Sequence, residues 1–225
     1  MENFNEKELR LHLVKESNYD LTKAEKLYNF IIGAPPKSID KPVVNDNKPD
    51  GIYFILSSGN GIHEYLATDE DKQNSVAIGV KMGNRFANVL LHDAAGGEVI
   101  ALCQNEKVPC GSEQFFRYTF FEAMSDWDGE ANTNDIGCAL NLDINLGENE
   151  YIPSVPQLHL ILLNINKINK ALLEAGGTPM RRDLYWSSTE NSGGGEWYVN
   201  FNNGSTYNIT KTYPFRVRLS MVCEI

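Results

Sequence analysis

The chain is 225 residues long, with 42% hydrophobic and 22% charged residues; this globular composition fills one good-sized domain plus an appendage and excludes disorder throughout. A formal net charge of -10, with no basic cluster beyond Met180-Arg181-Arg182, sets nucleic acid aside as a partner, because such binding needs Lys and Arg to neutralise phosphates. No apolar run approaches a membrane span, so no membrane insertion is expected.

At the N-terminus, Met1 to Glu6 offers neither the basic start nor the apolar core of a secretion signal, so synthesis in the cytoplasm without one is expected. Residues 5–32 read as two short helices, with Leu9 and Leu13 on one stripe and Leu21, Ala24, Leu27, Tyr28 and Ile31 on the next. Asp20 can cap the second. A helical hairpin over 1–32 is too small to bury much apolar area alone. It docks on its own domain, or it serves as an element for oligomerisation or attachment to a particle. The proline-punctuated stretch Ala34-Pro35-Pro36 to Lys48-Pro49-Asp50 marks a linker over 33–50.

From Gly51 the texture changes to short apolar runs, Ile52 to Leu56, Val76 to Val80 and Asn88 to Leu91, each bounded by turn residues and read as strands. The aromatic segment Glu113 to Met124 is expected as a helix or long buried turn. Next, Asp126-Trp127-Asp128-Gly129 opens like a calcium loop, but position twelve from Asp126 is Gly137 where an EF-hand needs Glu. An Asx-rich turn is the plainer reading, and no metal site is expected. The four cysteines, Cys103, Cys110, Cys138 and Cys223, form no zinc pattern, and with a core this large they are expected as thiols. The four histidines, His12, His63, His92 and His159, are scattered, which gives a His-based catalytic site little support.

Residues 151–177 carry the clearest helix signals. Ser154 with Gln157 makes a capping box, Pro156 sits in the first turn, and Gly176-Gly177 is the stop. Leu158, Ile161, Leu162, Ile165, Ile168 and Leu172 make the expected buried stripe, with a break near Asn164-Ile165-Asn166.

The last stretch, Tyr185 to Arg218, joins a bulky apolar skeleton to many Asn, Ser, Gly, Thr and Tyr residues. Trp197, Val199 and Phe201 alternate with Tyr198, Asn200 and Asn202, the period of a half-buried strand. Asn203-Gly204 then predicts a type I′ hairpin turn, pairing Asn202 with Ser205, Asn200 with Tyr207 and Tyr198 with Ile209. Those six side chains share one face, and Tyr with Asn, Ser and Gly is the chemistry of adaptable recognition surfaces. An ordinary exposed loop contains the same polar residues.

Tyr-Ile-Pro-Ser at 151–154, Ile168 to Leu172, Gly176-Gly177, Tyr185-Trp186-Ser187-Ser188-Thr189-Glu190, Trp197 to Phe201 and Val217-Arg218 together carry a resemblance. Over residues 51–225 the chain resembles the C-type-lectin-like domain at the C-terminus of bacterial collagen-like adhesins, related to the formylglycine-generating-enzyme fold. The stretch 126–133 also fits that family. The resemblance implies an α+β fold with small twisted antiparallel sheets and packed helices, helices over 154–175 and sheet with loops over 185–222.

The same motif string is similar to the variable proteins of diversity-generating retroelements, in which mutated adenines turn Asn codons into Tyr, Ser, Gly, Asp, Thr, Ile, Phe or Pro codons. That likeness makes Asn191, Ser192, Gly193, Gly194, Gly195, Tyr198, Ser205, Tyr207, Asn208, Ile209, Thr210, Thr212, Tyr213 and Phe215 the candidate ligand-binding residues, with Pro214 a further residue that such a change could produce. Trp186, Trp197, Val199, Phe201, Gly204 and Val217 become the constant frame. The implied function is noncatalytic binding of a protein or glycan on a cell surface, without cofactor, by a module displayed on a phage particle or bacterial protein. An oxidase of the formylglycine-generating type shares the fold but needs closely placed cysteines, and Cys223 is alone after Cys138. A calcium lectin would need a sugar-binding triplet such as Glu-Pro-Asn, which is absent from the sequence.

Overall fold

The computed structural model describes residues 48–103, 111–137 and 140–225. The expected hairpin of residues 1–32, nearly all of the 33–50 linker, Cys110 and Cys138 lie outside the described residues. The described part is α+β, with short helices and small antiparallel sheets.

The apolar runs after Gly51 form a four-stranded antiparallel sheet of β1 (Gly51–Leu56), β2 (Gly61–His63), β3 (Ser75–Met82) and β4 (Arg85–Leu90), in the order β2-β1-β3-β4. Between β2 and β3 stands α1 (Asp69–Gln73), started by a capping box between Thr68 and Asp71. β3 is buried over Ala77 to Lys81, as a central strand covered on both faces must be. Two ribbons tie distant segments together: β5 (Ile100–Ala101) pairs with β10 (Pro214–Phe215), and β6 (Glu150–Tyr151) pairs with β11 (Ser220–Met221). The chain end returns to the first sheet, where the Gly61 N–H donates to Glu224 O at 2.9 Å.

The aromatic segment 113–124 is divided. A 3-10 turn spans Glu113–Phe115, Tyr118 is exposed, and only α2 (Phe120–Ser125) puts Phe120, Ala123 and Met124 into the core. The Asp-x-Asp-Gly stretch starts a helix. Asp128 Oδ1 accepts the Ala131 N–H at 3.1 Å at the head of α3 (Gly129–Ile136), and buried Asp126 accepts from Asn132 Nδ2 at 2.7 Å.

The 151–177 helix breaks at Asn164 into α4 (Val155–Leu163) and α5 (Ile165–Glu174). Gln157 Oε1 accepts the Ser154 N–H at 2.8 Å, and the Thr189 hydroxyl accepts the next, that of Val155, at 3.2 Å. At the far end Gly176 takes φ +76 and the Gly177 N–H donates back to Leu172 O at 2.7 Å, as the Gly-Gly stop predicts. The expected stripe needs correction. Every residue from Val155 to Leu162 is buried, because α4 lies between the two main sheets and is covered all round. Ile165, placed on the stripe, is only partly buried.

The second main sheet is β7 (Leu184–Ser192), β8 (Gly195–Asn200) and β9 (Thr206–Thr210). It has a core on each side. Tyr185, Trp197, Val199 and Phe201 join α4 and the first sheet, while Trp186 joins Leu102, Ile136, Ile152, Val217 and Leu219 in a second cluster.

Candidate recognition surface

Strand alternation puts Trp197 and Val199 of β8 on the α4 side and Tyr198 on the other, as read from the sequence. The hairpin register is different. Tyr198 pairs with Tyr207, Trp197 with Asn208 and Glu196 with Ile209, a slip of two residues from the expected pairing. The type I′ turn is absent because Phe201, 2% exposed, stays buried and draws the chain into a wider loop. Asn200 O accepts the N–H groups of Asn203 and Gly204 at 3.3 and 2.8 Å, and Gly204 alone takes positive φ, at +75. A slip of two preserves the faces, so Tyr198 and Tyr207 remain neighbours.

On the outward face the aromatic rings run from interior to solvent. Trp186 is wholly buried and its Nε1 donates to Ile100 O at 3.2 Å. Phe215 lies 4.7 Å from Trp186 and 4.7 Å from Tyr198, centroid to centroid. Tyr207 is 6.3 Å from Tyr198, and Tyr213 is 6.5 Å from Phe215. Tyr207 is 52% exposed and Tyr213 49%, so the ladder ends in two rings open to solvent. Rings at such spacing attract edge to face or offset, each pair contributing about 0.5–1.5 kcal/mol beyond its buried area. Tyr198 and Phe215 are thus half support and half surface, and burial, with Tyr207 adding, lifts the Tyr198 phenol above its ordinary pKa.

The other candidates divide by position. Ile209 packs partly against the second core, and Pro214 is exposed beside Tyr213. Asn208 is exposed on edge strand β9. Gly194, Gly195, Thr210 and Thr212 gather at the β7–β8 turn, where the Lys211 N–H donates to Gly194 O at 3.2 Å. Asn191 and Gly193 lean toward another segment: Asn191 Nδ2 donates to Arg117 O at 3.4 Å, and Gly193 approaches Phe116. Ser192 is partly buried beside them. Ser205 is a correction. It is 6% exposed, with its hydroxyl and N–H both given to Asn203 Oδ1, so it holds the loop and has no surface to offer. Each frame residue, Trp186, Trp197, Val199, Phe201, Gly204 and Val217, is buried. Thr206, on the Trp197 face, is buried against His159 Nε2 at 2.7 Å.

Sequence reading missed a buried charge cluster beneath this surface. Lys211 follows β9, and its ammonium touches Glu190 Oε1 and stands 3.6 Å from Glu196 Oε2, with all three side chains at most 2% exposed. Burial raises the Glu190 carboxyl above the usual range, Lys211 opposes this, and Asp135 adds to it. The only signal was alternation, which puts Glu196 on the face of Tyr198.

Cys103 is buried and Cys223 half-buried. Burial pushes the Cys223 thiol up to about 12, with Asn88 Nδ2, 3.5 Å from the sulfur, pulling the other way. Native Cys223 should therefore resist iodoacetamide at pH 8 and label rapidly in guanidinium, followed by mass spectrometry. Its contribution to stability is complete below its unfolded value of 9.0 and is lost as pH rises toward 12. Equal labelling rates in the folded and unfolded chain would contradict this burial.

Among the described residues, no group of three or more His, Cys, Asp and Glu side chains converges to hold a metal ion. An open groove of about 510 Å³ lined by Ser57, Leu91, His92, Glu148 and Met221 is separate from the aromatic ladder. No protein-family model, curated protein or solved structure matches this chain.

Proposed function

We propose that residues 51–225 form a C-type-lectin-like, noncatalytic binding module that takes a protein or glycan on a cell surface. Its contact face centres on Tyr207 and Tyr213, with Tyr198, Phe215 and Pro214 around them; Asn208, paired with Trp197, is on the opposite face of β9. The observation that carries this reading is the aromatic ladder, rooted in buried Trp186 and ending in two half-exposed tyrosines. Solvent-exposed rings held by packing lose little entropy on contact, and aromatic anchors supply most interface energy.

The diversified reading is supported by the division between buried frame and more open candidate positions, because changes at exposed sites leave a core intact. Attachment to a particle or larger assembly through residues 1–32 completes the proposal. The oxidase alternative draws no support from Cys223, since a thiol with a pKa near 12 is protonated at neutral pH.

The test uses the labelled full chain on a glycan array and on intact bacterial cells, beside Tyr207→Ala/Tyr213→Ala. Loss of two anchors worth about 2 kcal/mol each should weaken binding at least 30-fold. Binding that is unchanged in the double variant would overturn this surface. For diversification, the neighbouring DNA should hold a reverse transcriptase gene and an adenine-rich near-copy of the last part of this gene; a locus without both rejects it.

A further inference from the structure

The charge cluster under the recognition surface has a composition that ion pairing alone does not account for. One ammonium, Lys211, lies between two carboxylates, Glu190 and Glu196, all at most 2% exposed. The three strands deliver these groups independently: Glu190 pairs with Glu196 across β7 and β8, and Lys211 is fixed at the end of β9 by its N–H to Gly194 O. Sequence separation between Lys211 and Glu190 is 21 residues, so the contact is made by the fold.

We propose that Lys211 and Glu190 close an intramolecular amide bond across this sheet, with Glu196 carrying the protons. Three observations converge. The Lys211 Nζ and Glu190 Oε1 are in direct contact, and groups held together by the fold react in an effectively unimolecular step. Burial raises the Glu190 carboxyl toward its neutral form, against the opposing pull of Lys211, and a neutral carboxyl is the form that an amine attacks. Glu190 Oε2 has no hydrogen-bond partner among the described residues. The neighbouring acid, Asp135, is already held by the N–H and hydroxyl of Ser112 at 2.5 and 2.7 Å, which leaves Glu196 as the proton carrier.

The step balances without an oxidant or other reactant. Glu196 accepts one ammonium proton, freeing the Nζ lone pair to form a bond to Glu190 Cδ. That proton and a second one from Nζ pass through Glu196 to a single Glu190 oxygen. The Cδ–O bond breaks, one water leaves, and Glu196 returns to carboxylate. The remaining amide N–H then faces Glu196 where the ammonium had been. The product joins the outer strands of the sheet and fixes residues 211–215, which include Tyr213 and Phe215. The inference stands apart from the binding proposal, since it concerns bonding beneath the surface and not what the surface takes.

Intact mass spectrometry of the denatured full chain decides it. The chain should be lighter than its sequence by one water, Lys211→Arg should show its full sequence mass, and digestion should release a branched peptide containing Glu190 and Lys211. A full sequence mass in the native protein, unchanged on long incubation of the folded chain, overturns the bond even where a variant fails to fold. A water loss that persists in Lys211→Arg overturns it equally. Glu196→Gln should leave a fraction open that closes more slowly; closure at the native rate removes Glu196 from the reaction.

Discussion

Trp197→Ala should cost about 3–5 kcal/mol, because a buried ring leaves both lost transfer energy and a cavity. For a chain of this size that corresponds to a fall in melting temperature of roughly 6–20 °C. Trp197 is 5% exposed, packs with Val199 and Phe201 against α4, and donates its Nε1 to Arg117 O at 2.8 Å. The Nε1 bond ties β8 to the segment before α2, so its loss adds to the cavity. Tyr207→Ala with Tyr213→Ala should together cost only about 1–2 kcal/mol, the loss of one half-exposed ring pair each. Tyr198→Ala should fall between them, since its ring packs on Phe215 and on Trp186 at 6.3 Å. Thermal and urea unfolding of the full chain measures the series. If the double tyrosine variant unfolds while Trp197→Ala does not, frame and surface have been assigned the wrong way round.

Lys211→Met should be comparably damaging, by about 3–5 kcal/mol, because Lys211 neutralises buried Glu190, as its ammonium counter-ion or through the proposed amide, and its removal leaves that carboxylate charge uncompensated. Met preserves most of the side-chain volume, so the loss reports charge and not a cavity. The pH dependence identifies the cause. Burial already lifts the Glu190 carboxyl, and without Lys211 the lift is larger. A group with a raised folded pKa binds protons more tightly when folded, so its stabilising effect is complete below the unfolded pKa and is lost as pH rises through the folded one. The deficit of Lys211→Met, measured by urea unfolding, should therefore be large at pH 7.5 and shrink toward pH 5. A deficit that does not change with pH would show that the lysine stem, and not its charge, supports the sheet.

What the sequence determined by itself was local. The helix start at Ser154 and Gln157, the break at Asn164 and the stop at Gly176 depend on residues within one turn of each other, so they can be read from neighbours in the chain. The first strands and the faces of Trp197 and Tyr198 follow from a period of two, which survives even the register slip. Only the tertiary structure decided which surfaces are covered. It buried α4 on every side, swallowed Phe201 and so widened the hairpin loop, turned Ser205 inward, and half-covered Tyr198. It also placed Glu190, Glu196 and Lys211 in the interior, against the ordinary tendency of charged residues. Burial depends on segments distant in the chain, such as Ile100 against Trp186 and His159 against Thr206, and no local pattern encodes those distances.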